Sequence, residues 1–123
     1  NIVHFSGHGE IGGALCFENE WGEIQSIDAD ALVALFKLFS KQVNCVVLNT
    51  CHSEILANQL AEHIEYVIGM KQEISENAAI AFTIGFYQAL GAGRNIKEAY
   101  ELGCVQIRLE GISEYLKPVL KTK

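Results

Sequence analysis

Two short runs, Cys45-Val-Val-Leu48 and Tyr66-Val-Ile-Gly-Met70, are apolar and bounded by polar residues. A run of that length with no polar alternation leaves no solvent face, the pattern of a central strand in a parallel sheet covered by helices on both sides. The segments around them carry helical periodicity instead. Ala29, Leu32, Val33 and Phe36 fall at i, i+3, i+4 and i+7 behind Asp28, a good helix N-cap. Ile55, Leu56, Leu60 and Ile64 mark a second helical segment. Ser75 can cap a long helix over Glu76 to Leu90, apolar on more than one side through Ala78, Ala81, Phe82, Gly85, Phe86 and Ala89. Gly91-Ala92-Gly93 ends it. Asn95 and Glu98 have capping-box spacing before a last helix striped by Ile96, Ala99, Tyr100, Gly103 and Ile107. Pro118 precludes a helix interior, so Lys117-Pro-Val-Leu-Lys-Thr-Lys123 is expected as a final extended strand. Strands alternating with helices make this an α/β domain with a largely parallel sheet.

The N-terminal third reads differently. Ile2 to Phe5 is expected as a short buried strand running into a Gly-rich turn, Ser6 to Gly9. Ala14–Phe17 and Glu23–Ile27 flank Glu18-Asn-Glu-Trp-Gly22 as a β-hairpin. A length of 123 residues suits one domain. The net charge of −6 and scattered basic residues argue against nucleic-acid contact. No apolar run reaches the roughly 20 residues needed to span a bilayer, so no membrane partner is expected. The four cysteines form no C-x-x-C pair, which suits reduced thiols in the cytoplasm. With no signal peptide, and a core strand at its very start, the chain reads as a piece of something longer.

Chemistry-bearing residues collect where strands end. In Val46-Val-Leu-Asn-Thr-Cys-His-Ser-Glu54, Cys51 stands just past a buried strand and just before a helix, and sites in open α/β sheets gather at the carboxyl ends of strands. A helix N-terminus there favours the thiolate. His8, in His4-Phe-Ser-Gly-His-Gly9, occupies the matching position after the first strand. Adjacent parallel strands would set the two side by side, as a thiolate nucleophile and its proton-transferring imidazole require. His4 lies inside the strand and His52 diverges from its neighbour Cys51, so both read as structural, as do Cys45 and Cys104. A zinc site from His4, His8, Cys51 and His52 fits no ligand spacing. Ala57 stands where a cysteine phosphatase needs Arg, and Gly7-His8-Gly9 is too short for a nucleotide-binding loop.

Together with Val67-Ile-Gly-Met through Tyr100, these two motifs resemble the CHAT-domain family of caspase-like cysteine peptidases, the clan of caspases, metacaspases and separases. The resemblance covers nearly the whole chain. It implies a three-layer α/β/α sandwich with a mostly parallel sheet. Residues 1–123 would be the C-terminal portion of a single CHAT peptidase domain, lacking the N-terminal part of the fold. It implies His8 as general acid/base, Cys51 as nucleophile, and the backbone N–H groups of Gly9 and Cys51 as the oxyanion hole. Asn49, two residues before the cysteine, would line the substrate pocket, with Glu73, Ser75 and Glu76 in the same cleft. No metal and no organic cofactor is expected. The implied protein is bacterial and cytoplasmic. It would cleave a protein or peptide substrate under the control of an attached sensor region such as a TPR or NTPase, in antiviral defence or regulated cell death. The competing expectation is a catalytically silent interaction module on the same fold.

Overall fold

The computed structural model describes residues 2–9, 15–18 and 24–123, with 6–9, 15–18 and 24–27 as strand backbone. In chain order the elements are β1 (Ile2–Gly9), β2 (Leu15–Glu18), β3 (Ile24–Ile27), α1 (Ala29–Leu38), β4 (Cys45–Thr50), α2 (Glu54–Leu60), β5 (Tyr66–Met70), α3 (Glu76–Gly91), α4 (Ile96–Leu109) and β6 (Pro118–Thr122). The strands line up as β3-β2-β1-β4-β5-β6. β4 pairs in parallel with β1 on one side and with β5 on the other.

Every residue of β4 is buried, as the unbroken apolar run requires. Its side chains alternate between two cores. Val46 and Leu48 join Leu32 and Phe36 of α1 and Leu56 and Leu60 of α2. Cys45 and Val47 join Met70, Phe82 and Phe86, with Ile107 of α4. Helices therefore cover both faces, and the domain is a three-layer α/β/α sandwich.

The three long helices start where their caps stand. Asp28 accepts from the Ala31 N–H at 2.8 Å, Ser75 from Ala78 at 3.1 Å and Asn95 from Glu98 at 2.8 Å. The capping box is only half made, because the Glu98 carboxylate pairs with Arg94 at 3.2 Å. Where α3 crosses α4, two glycines let the backbones meet. A Cβ on Gly85 would stand 2.7 Å from the Leu102 carbonyl oxygen, and one on Gly103 would stand 2.7 Å from the Phe82 ring.

Three expectations are corrected. Ser6 to Gly9 is strand, not turn: β1 follows β4 as far as Gly7↔Thr50 and then takes β2 as an antiparallel partner at His8↔Cys16 and Gly9↔Leu15. A second ladder keeps this glycine-rich stretch extended. The start of β1 is also less buried than expected; Ile2 is 37% exposed, while Val3 and Phe5 pack on the α1–α2 core. The second helix stops at Leu60, leaving Ile64 buried beyond it and Ile55 at 51% exposure. The expected final strand is present as β6, and it closes the sheet antiparallel to β5, from Tyr66↔Thr122 to Met70↔Pro118. The hairpin is present as β2 paired with β3. Its connecting residues, Trp21 among them, lie outside the described residues.

Candidate active site

Gly7↔Thr50 is the last parallel pair between β1 and β4; His8 is the next residue of β1, and Cys51 is the first residue after β4. The histidine and the cysteine of the two motifs thus follow one another's register at the same carboxyl edge. Ser6 to Gly9 are described as strand backbone only, so the side chain of His8 lies outside what is described.

The cysteine end is defined in detail. Cys51 is half-buried, and its Sγ lies between the two backbone groups of one residue: the Ile74 N–H donates to it at 3.4 Å and the thiol donates to the Ile74 carbonyl at 3.5 Å. The chain leaves Cys51 through His52 at φ 55°, the left-handed region that non-glycine residues enter at a cost. The His52 N–H donates to the Gln72 carbonyl at 3.2 Å, tying this turn to the loop after β5. Helix α2 begins three residues past the thiol, so Cys51 precedes its cap position rather than occupying it.

Ser53 holds that turn. It stands at the N-cap position of α2 but makes no cap bond. Its hydroxyl reaches the carbonyls of Thr50 (2.8 Å) and Leu48 (3.1 Å) and accepts from the Met70 N–H at 2.9 Å. One buried side chain thereby stitches the end of β4 to the end of β5. Gly69 makes the approach possible, because a Cβ there would lie 2.8 Å from the Ala57 Cβ and 3.0 Å from the Ser53 carbonyl oxygen. Sequence reasoning singled out neither residue. A small hydroxyl two places after the cysteine and a glycine inside an otherwise bulky strand were the available signals.

The predicted pocket residues fall into two groups. Asn49 is 9% exposed and faces α3, its Nδ2 donating to the Thr83 hydroxyl at 2.8 Å and to the Ala79 carbonyl at 3.1 Å. Its Oδ1 has no hydrogen-bond partner among the described residues. Glu73 and Ser75 flank Ile74 and are exposed, so the structure brings their loop to the thiol. Ser75 caps α3 and donates its hydroxyl to Glu114 at 2.6 Å, while Glu76 opens that helix.

The remaining described thiols are held protonated. Burial pushes Cys45 up to about 12 and Cys104 up to about 11. His4 lies within β1 with Nδ1 2.9 Å from the Tyr87 hydroxyl, and burial lowers its pKa, favouring the neutral ring. That is the packing role expected of it. Among the described residues no three His, Cys, Asp or Glu side chains come together as a metal site.

A half-buried cysteine past the central strand, and a histidine in register on its parallel neighbour, define the class: a caspase-like α/β domain. The CHAT domain family matches residues 1–109, and the chain belongs to that family. A curated relative, a Roc-COR-CHAT protease from an unknown prokaryotic organism, is 23% identical over 106 residues; the match covers 81% of this chain and 10% of the relative's length. Among the described residues no helix is long and apolar enough to cross a membrane.

Proposed function

We propose that this chain is the peptidase portion of a longer CHAT protein and hydrolyses peptide bonds with Cys51 as nucleophile and His8 as general acid/base. The observation that carries this reading is the ladder between β1 and β4, whose last pair is followed by those two residues at one edge. Family membership and the distant relative's name support the same chemistry.

In the proposed reaction His8 takes the thiol proton and the Cys51 sulfur attacks the scissile carbonyl carbon. Negative charge collects on the carbonyl oxygen, where the N–H groups of Gly9 and Cys51 would donate to it. Collapse expels the amine, which receives the proton from His8 and leaves a thioester. Water, deprotonated by His8, then releases the acid and restores the thiol. The steps balance without metal or organic cofactor.

The substrate would be a partner protein, and its cleavage would be gated by regions outside this chain, such as a TPR or NTPase sensor. A reducing cytoplasm suits a nucleophilic thiol. The P1 side chain would enter beside Asn49, whose buried Oδ1 has no partner among the described residues, with Glu73, Ser75 and Glu76 at the rim.

The test is labelling of the full-length protein by a panel of acyloxymethyl ketones differing at P1. Covalent adduct on Cys51, lost in Cys51→Ala and in His8→Ala, is expected. An adduct that survives Cys51→Ala would overturn the assignment.

A further inference from the structure

Ile74 touches the Cys51 thiol through both of its backbone groups, and the loop that carries it is tied down from a distant part of the chain. The Ser75 N–H donates to Glu114 Oε1 at 2.9 Å and the Ser75 hydroxyl donates to Glu114 Oε2 at 2.6 Å. Lys117 Nζ donates to Glu114 Oε1 at 3.0 Å and to the carbonyl of Glu73. The Lys71 N–H donates to the Lys117 carbonyl at 2.9 Å. Residues 71, 73 and 75 are thus each bonded to the turn between α4 and β6, while Gln72 and Ile74 between them face the cysteine turn.

We infer that Glu114 is a positioning residue for Cys51: its carboxylate grips Ser75 with both oxygens and so holds Ile74 against the thiol. The catalytic consequence rests on the peptidase reading above; the placement of the thiol does not. Two acceptors on one rigid fork suit an N–H and an O–H from the same residue, and a charged acceptor makes both bonds stronger than neutral ones. The same two Ser75 bonds hold the Glu114 carboxyl down to about 2, so the clamp is fully charged at neutral pH. Glutamine cannot replace it, since its Nε2 offers a donor where the second acceptor is needed. The Ser75 hydroxyl also caps α3, so one side chain couples the helix start, the clamp and the loop over the thiol.

The test is site-resolved alkylation of the full-length protein with iodoacetamide, read by peptide mass at each cysteine. Cys45, with no exposed surface, is the internal reference for unfolding. In Glu114→Gln the rate at Cys51 is expected to rise roughly tenfold, the scale of one lost charge-assisted hydrogen bond, with Cys45 still protected. Glu114→Asp should restore part of the difference. Reaction of Cys51 with an acyloxymethyl ketone should fall in the same variant, since a thiol freed from Ile74 is no longer pre-oriented. An unchanged Cys51 rate with Cys45 protected overturns the inference. If Glu114→Gln exposes Cys45, Glu114→Asp decides: it keeps the charge but is one methylene short of Ser75, so a smaller rise at Cys51 with Cys45 protected is expected and none overturns the inference. Wild-type protein inert to every ketone, with the iodoacetamide difference intact, would sink the peptidase reading and leave the positioning role standing.

Discussion

The cysteine strand and the histidine strand are neighbours in one parallel ladder, yet they are built in opposite ways. Cys45 to Leu48 of β4 are at most 1% exposed, and the strand's end is fixed by Ser53, by the close approach at Gly69 and by the loop carrying Ile74. Among its described side chains, Ile2 to Phe5, β1 has no comparable burial. Its first residue is 37% exposed, Val3, His4 and Phe5 are half-buried, and its last two residues pair with β2. One half of the pair is set in the core and the other is presented from a ladder. Under the proposed mechanism, a nucleophile whose bond-forming atom must sit within tenths of an ångström would suit the first construction, and a group that moves a proton the second.

Removing the two chemical groups breaks that comparison most severely. Under the proposed mechanism Cys51→Ala should lower turnover of a cleavable peptide by roughly 10⁶-fold, because nucleophile and base act as a unit. For the same reason His8→Ala combined with Cys51→Ala should be no worse than Cys51→Ala alone. Additive losses in a kinetic cycle would show that the two residues work separately.

Next in size is the packing that only the cysteine half has. Gly69→Ala pushes a methyl to 2.8 Å from Ala57 and 3.0 Å from a backbone oxygen, so something must shift. The expected cost is about 3 kcal/mol, the upper range for overpacking where backbone is one of the neighbours. Ser53→Ala strands the Met70 N–H in a buried site and should cost about 2 kcal/mol. Urea unfolding followed by circular dichroism measures both. A loss under about 0.5 kcal/mol in either, the usual range for surface substitutions, would show that the end of β4 is not held as described.

How much of this was legible follows the same division. The unbroken apolar runs of β4 and β5 and the N-caps Asp28, Ser75 and Asn95 are local signals, and each element formed where its residues indicate. The strand through Gly9 was not legible, because glycine and serine read as a turn unless the partner strand supplying the ladder is known. The antiparallel placement of β6 is likewise a property of the neighbour it meets. At the site, Cys51 and His8 stood out by position. Ser53 acts by bonding to β5, 17 residues on, and Glu114 grips Ser75 from 39 residues away. No spacing rule links such pairs, since only the folded sheet makes them neighbours.

Smallest at neutral pH are two titrations, which separate the halves by the acidity each withstands. Burial lowers the His4 pKa below its usual 6.5, so the folded state prefers the neutral ring. Its contribution is present above pH 6.5 and is lost as the pH falls from there through the folded value, because the unfolded chain binds the proton first. Glu114 behaves alike in sign but lower in range. Its carboxyl is held at about 2 against 4.5 in the open chain, so the stability it adds is complete above 4.5 and disappears between 4.5 and 2. Stability measured from pH 8 to pH 2 should therefore fall in two stages, the first tied to the β1 half and the second to the cysteine half. Tyr87→Phe removes the hydroxyl 2.9 Å from His4 and should alter only the first stage. Glu114→Gln should flatten only the second. If Glu114→Gln leaves the slope between pH 4.5 and 2 as steep as in the parent, the carboxylate clamp is not holding the loop. A change in the first stage from the same variant would mean the two halves are coupled through α3, which carries both Tyr87 and the Ser75 cap.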